Sequence, residues 1–176
     1  PHGLRDELAL VIGVAPEKIR AIAPEVGGGF GAKCNIYPEE VLVPLLARRL
    51  GRPVRWVASR SEDYLATVHG RDQANTIRLA ATSEGRLLGA ELSVTADCGA
   101  YLARVTAAVG PLTGVMMTGV YAIPNARSRV QGVFTNKPPM EPYRGAGRPE
   151  ACYMIERAMD HLARKLSLDP IELRRR

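Results

Sequence analysis

The chain has 176 residues, 46% apolar and 24% charged, enough for one domain with a real core or two small ones. No apolar run approaches the ~20 residues that a membrane-spanning helix needs. The net charge of +6 comes mostly from 20 scattered arginines and aromatics make up only 5%, which argues against the clustered basic and aromatic surface of a nucleic-acid binder.

"PHGLRDEL" has no leader-peptide pattern. The chain opens on Pro1 without an initiator Met and stops on "RRR", so it is expected to be a piece of a longer polypeptide. Leu4, Leu8, Val11 and Ile12 have helical spacing, with Gly13 as a stop. "KIRAIAP" reads as a short strand, and the glycine-rich "EVGGGFGAK" follows it. "YPEEVLVPLLARRLG" reads as a helix over 38–50. Pro38, Glu39 and Glu40 stand in its first turn, Arg48 and Arg49 in its last, and Gly51 lies just past its end. Val41, Leu42, Leu45, Leu46 and Leu50 should be its buried stripe, and Pro44 should kink it or move its start later.

"RPVRWVAS" is a strand candidate and "RSEDYLAT" a short helical turn. The alternation over 73–97 predicts a β-hairpin turning at Ser83–Gly85. "GPLTGVMMTGVYAIP" reads as a buried helix or an irregular segment, and "ARSRVQGVFTN" as a strand. After "KPPMEPYRGAGR" comes a helix over 149–166, with Ala151, Met154, Ile155, Ala158, Leu162 and Leu166 on one face. A last helix should start at Pro170 with Asp169 as N-cap. The pattern is mixed α/β, of the α+β kind, over 1–176.

Cys34, Cys98 and Cys152 are far apart with no CxxC, which excludes a zinc knuckle or a local iron–sulfur motif and suits reduced thiols in the cytoplasm. His2, His69 and His161 show no HExxH spacing and read as surface or packing residues. The remaining signal is the pair of glycine loops. "VGGGFGAK" precedes the helix near Pro38, and "YRGAGRPE" precedes the helix at Pro149. Glycine admits positive φ and close approach, and a helix start offers N–H groups and partial positive charge, so such a loop can cradle an anion. It can equally be a tight turn beside a packed helix. The first loop is neither a P-loop nor a GxGxxG fingerprint, because Ala32 and Cys34 stand where glycine or a hydroxyl is required. Two basic loops in one short chain shift the balance toward a large anionic ligand, with Arg144 and Arg148 as phosphate-compatible forks.

"VGGGFGAK", "YPEEVLVPLLARRLGRPVRWVASRSEDYLATVHGRDQ", "TNKPPMEPYRGAGRPEA" and "ERAMDHLARKLSLDPIELRRR", in this order, resemble the molybdenum-binding large subunit of the xanthine dehydrogenase, aldehyde oxidase and aerobic carbon monoxide dehydrogenase family. The resemblance implies part of a molybdopterin-binding domain spanning 1–176. It implies molybdenum held by a pterin, in bacteria usually as the cytosine dinucleotide. It also implies oxidative hydroxylation of an aldehyde or N-heterocycle with water. The implied partners are a small subunit with 2Fe-2S clusters and a medium subunit with FAD, in a cytoplasmic heterotrimer. By the same resemblance Gly29, Phe30 and Gly31 pack on one side of the cofactor, and Arg144, Gly145 and Ala146 on the other.

The family's general-base glutamate lies near the end of the full-length sequence and is expected outside this chain, as is the upstream cofactor-binding glutamine. Glu25, Glu39, Glu40, Glu141 and Glu150 read as loop or helix-start residues. Gly145 stands where carbon monoxide oxidisers carry a copper-binding cysteine, and Cys34 and Leu112 stand where purine oxidisers carry a glutamate and an arginine. Both departures favour an aldehyde or N-heterocycle. The competing reading is a non-catalytic module that binds a phosphate ligand through its glycine loops.

Overall fold

The computed structural model describes all residues, 1–176, and divides into two compact units, Pro1–Thr67 and Val68–Arg176. The first holds three helices: α1 (His2–Ile12), α2 (Pro38–Leu50) and α3 (Arg60–Ala66). Gly13 ends α1 at φ 65° and Gly51 ends α2 at φ 62°, the left-handed stop that glycine adopts without a Cβ clash. Ser59 starts α3 by accepting from the Glu62 N–H while Glu62 accepts from the Ser59 N–H.

Several sequence expectations fail in this unit. α2 runs unbroken from Pro38 through Pro44, so its start is not displaced. Its apolar stripe is not buried either: Leu42, Leu45, Leu46 and Leu50 remain largely exposed. Within the unit the helix packed on α2 is α1, whose Leu8 is buried, and one helix cannot cover a five-residue stripe. "KIRAIAP" and "RPVRWVAS" form no strand. β-propensity needs a partner edge to become a ladder, and no strand of this unit supplies one.

The second unit is built on a three-stranded sheet of order β1-β2-β3, with β1 (Gln73–Ala81), β2 (Leu87–Asp97) and β3 (Ala126–Val133). β1 and β2 are the expected antiparallel hairpin, with Ile77 opposite Leu92 and Asn75 opposite Val94. β3 returns parallel to β2, a connection that requires a crossover, and α4 (Thr106–Val115) lies on that path. Alternate residues Ala90, Leu92, Val94 and Ala96 of β2 face the core with Val109 of α4 and Met140. The opposite face, with Ser93 and Thr95, is exposed.

α5 (Arg148–Leu166) packs on β1 and α4. Its buried line is Ala151, Ile155, Met159 and Ala163, centred one strip away from the expected face. The reason is a second neighbour: α6 (Pro170–Arg174) folds back so that Leu173 meets Met159 and Ala163. Arg174 fastens it, donating to Glu156 Oε2 at 2.6 Å and to Asp160 Oδ1 at 2.9 Å. Asp169 caps α6 as expected, accepting from the Ile171 and Glu172 N–H groups.

Candidate cofactor-binding loops

The first loop lies in Pro1–Thr67. Gly27, Gly28, Phe30 and Gly31 all have positive φ, at 73°, 114°, 52° and 110°. Lys33 does not project as a free cation, since its Nζ donates to Val26 O at 2.9 Å and Gly28 O at 2.7 Å and staples the loop. The Phe30 ring folds over Gly28, where a Cβ would come within 2.6 Å of it, and Phe30 remains 53% exposed. At Gly29 a Cβ would lie 3.2 Å from Lys33 Cβ, so part of the glycine requirement is internal to the loop.

Gly31 then opens a 3-10 turn, Ala32–Cys34, before α2 begins. The loop therefore does not feed α2 directly. Tyr37 donates its hydroxyl to Ala32 O at 2.6 Å, and its N–H is taken by Glu40 Oε2 at 2.9 Å. With Pro38 lacking an N–H and two glutamates in the first turn, the start of α2 is not an anion site. What this loop offers a ligand is the half-buried backbone at Gly29 and Gly31 and the exposed Phe30 ring.

The second loop lies in Val68–Arg176 and is more constrained. Arg144, Gly145, Ala146 and Gly147 have consecutive positive φ of 29°, 132°, 47° and 90°. Its downstream half is wedged against helices. A Cβ on Gly145 would sit 2.5 Å from Pro149 Cδ, and one on Gly147 2.6 Å from Thr113 N and 2.7 Å from Val109 O. Arg144 is exposed, and Gly145 and Ala146 are half-buried. Arg148 is partly engaged, donating to Gly145 O at 3.3 Å.

Three side chains hold this loop: Arg71, which carries no sequence signal, and Glu141 and Glu150, which read from sequence only as loop or helix-start residues. Glu141, 1% exposed, accepts at Oε1 from Val105 N at 2.9 Å and Thr106 Oγ1 at 2.7 Å, tying the approach segment to the start of α4. Glu150 does stand in the first turn of α5, but it is buried and paired with Arg71 at 3.2 Å. Arg71 also donates to Arg144 O at 3.1 Å and lies 5.2 Å from the Tyr143 ring centroid. Partners 73 and 79 residues away leave no local periodic signal.

The "TNKPP" segment ahead of the loop is anchored electrostatically. Asp97 accepts from Thr135 Oγ1 at 2.7 Å and the Gly99 N–H at 2.8 Å, and pairs with Lys137 at 2.9 Å. The Thr135 hydrogen bond, then the Gly99 N–H, then Lys137 hold its carboxyl down at about 2. Lys137, bridging Asp72 and Asp97, is pushed above the usual lysine range by those two hydrogen bonds. Cys34, Cys98 and Cys152 form no disulfide.

The residues present fit a bulky phosphate-bearing cofactor. Glycine at 145 and a single methyl at 146 leave little side-chain bulk beside the exposed Arg144 guanidinium, a fork suited to oxyanions. Each loop sits on its own unit.

Comparison with known proteins gives the chain a family. The whole chain, residues 1–176, matches the molybdopterin cofactor-binding domain. It is 41% identical to the nicotine 6-hydroxylase large subunit of Paenarthrobacter nicotinovorans, over 100% of this chain and 22% of that protein. It is also 41% identical to the carbon monoxide dehydrogenase large chain of Hydrogenophaga pseudoflava, over 99% of this chain and 22% of that one. The crystal structure of quinoline 2-oxidoreductase from Pseudomonas putida 86 superposes with a TM-score of 0.91 at 38% identity, covering 100% of this chain and 23% of that chain.

This chain therefore belongs to the molybdopterin cofactor-binding domain family, and the relatives it matches include the large subunit of a nicotine hydroxylase and the large chain of a carbon monoxide dehydrogenase. It spans about a fifth of the length of these two curated relatives.

Proposed function

We propose that this chain is part of the large subunit of a molybdenum hydroxylase that converts a C–H bond of an N-heterocycle or aldehyde to C–OH. The oxygen comes from water, and two protons and two electrons are released. The electrons pass to 2Fe-2S clusters and FAD on a small and a medium partner subunit. The single observation that carries the reading is the match of residues 1–176 to the molybdopterin-binding family with both glycine loops present. The names of the relatives, a hydroxylase and a dehydrogenase, favour this over a phosphate-binding module without chemistry.

The cofactor, taken to be the cytosine dinucleotide form, supplies the redox chemistry when bound. The chain's own residues supply placement. Gly29 and Gly31 keep side chains clear of the cofactor and Phe30 offers it an apolar ring. Gly145 and Ala146 stay small, and Arg144 offers planar donors to an oxyanion. The general base is assigned outside this chain on the family resemblance, which puts it near the end of the full-length sequence; Glu141 and Glu150 each hold one oxygen on a protein partner, Glu141 on Val105 and Thr106 and Glu150 on Arg71.

Among substrates, an N-heterocycle stands first, since nicotine 6-hydroxylase and quinoline 2-oxidoreductase are both named for one. Carbon monoxide stands last, because Gly145 has no thiol to hold copper beside Arg144. The test is dye reduction by the full-length subunit with its partner subunits, offered quinoline, nicotine, an aromatic aldehyde or carbon monoxide. Turnover of a heterocycle or the aldehyde, with none of carbon monoxide, is expected. Turnover of carbon monoxide alone overturns the substrate assignment.

A further inference from the structure

Arg144 and Ala146 hold a backbone conformation that side-chain-bearing residues rarely adopt, within a run of four such residues. Such a run persists only where its surroundings over-determine it. On the downstream side the cause is steric, through Pro149 against Gly145 and the last turns of α4 against Gly147. On the upstream side, where Glu141 and the His69–Met140 backbone pairing anchor the approach, the contact that reaches the loop itself is one guanidinium. Arg71 Nη2 donates to Arg144 O at 3.1 Å, Nη1 donates to Glu150 Oε1 at 3.2 Å, and its plane lies 5.2 Å from the Tyr143 ring centroid. It thus touches the residue before the loop, the loop's first carbonyl and the helix turn after it.

Arg71 is itself held. Its φ is 73°, its carbonyl accepts from the Gln73 N–H at 2.9 Å, and Asp72 O accepts from the Asp97 N–H at 3.0 Å, so its backbone is fixed to the head of the hairpin. The residue it pairs with is buried, and the second Glu150 oxygen has no hydrogen-bond partner. A lysine could reach Glu150 as a point charge, but it has no planar fork to serve the carboxylate, the carbonyl and the ring together.

We infer that Arg71 is a positioning residue of the cofactor site: it fixes the Arg144 carbonyl, and through it the direction in which the Arg144 side chain and the Gly145–Ala146 backbone are presented. The inference rests on the reading that this loop meets the molybdenum cofactor. It concerns a residue that touches neither cofactor nor substrate.

The experiment uses the full-length subunit with its partner subunits and compares Arg71→Lys, Arg144→Ala and Gly119→Ala with the unaltered protein. Gly119→Ala, whose added Cβ would meet only Ile155 Cγ2 and no residue of the loop, serves as a merely destabilised control. Molybdenum content, the Mo(V) electron paramagnetic resonance line shape, melting temperature, kcat and KM are read for each. Arg71→Lys is expected to shift the Mo(V) signal and to lower kcat by roughly 10–100-fold, the size a misplaced site produces, with KM within about twofold. Gly119→Ala, at equal or greater loss of melting temperature, should keep the native signal. A native signal and native kcat in Arg71→Lys, alongside altered values in Arg144→Ala, overturn the inference and leave the site reading standing. Native values in Arg144→Ala as well overturn both. Should Arg71→Lys fail to fold, Glu150→Gln, which removes the charge that holds the Arg71 guanidinium in place, is judged by the same shifted or native signal.

Discussion

Replacing Gly147 by alanine tests whether the second loop is locked by backbone rather than by a ligand. Gly147 caps α5 at φ 90°, and an added Cβ would lie 2.6 Å from Thr113 N and 2.7 Å from Val109 O. Those atoms belong to α4 and cannot swing aside as a flexible side chain would. Two costs follow: about 1–2 kcal/mol for a side chain in the left-handed region, and about 1–3 kcal/mol for overpacking a fixed neighbour. Gly147→Ala should therefore destabilise Val68–Arg176 by roughly 2–5 kcal/mol. Gly119 supplies the reference in the same unit. At φ 57° an added Cβ would meet only Ile155 Cγ2 at an ordinary 3.5 Å, so Gly119→Ala should show the conformational cost alone. The assay is native-state hydrogen exchange at the β2 amides of Leu92 and Val94, which reports opening of this unit without requiring the whole chain to unfold in one step. Equal effects of the two variants, within about 0.5 kcal/mol, would refute the steric part of the reasoning.

Asp97→Asn should lower neutral-pH stability by about 2 kcal/mol, since a carboxyl at about 2 against an ordinary 3.8 favours the folded state by that order. Because the folded value is depressed, the contribution is complete above pH 3.8 and lost as pH falls through about 2, so the variant's urea midpoint should flatten over that window; an unchanged slope contradicts the assignment. Met159→Ala removes a side chain that is 1% exposed between α5 and α6, and should cost about 2–5 kcal/mol by exchange at the same β2 amides. Residues 1–176 alone, purified beside the full-length subunit, should carry little molybdenum and reduce no dye; turnover comparable to the full subunit would place the general base within this chain.

The hairpin, α5 and α6 were legible because their signals are local: strict alternation over 73–97, an i, i+3, i+4 stripe, and an Asp-Pro start. The parallel return of β3 was not, because a strand's sequence does not state its partner. Nor was the shift of the α5 face toward Met159 and Ala163, which is set by α6 folding back. "KIRAIAP" and "RPVRWVAS" carry strand propensity that goes unused for want of an edge to pair with. At the loops, the glycines announced an unusual backbone, and positive φ at Gly27, Gly28, Gly31, Gly145 and Gly147 bears that out. The stapling role of Lys33 has no sequence signature, because its acceptors are main-chain carbonyls that any residue carries. Arg71 and Glu141 were illegible for the opposite reason: their partners are specific but distant in the chain.

The most direct measurement is elemental molybdenum, together with the nucleotide released on acid hydrolysis, in the full-length subunit and in its Gly29→Val and Arg144→Ala variants. The account predicts stoichiometric molybdenum with a cytidine nucleotide in the unaltered protein and a large loss of both in each variant that remains folded. Unchanged molybdenum in both variants, or a well-folded subunit that takes up none when expressed with the cofactor supplied, would contradict it.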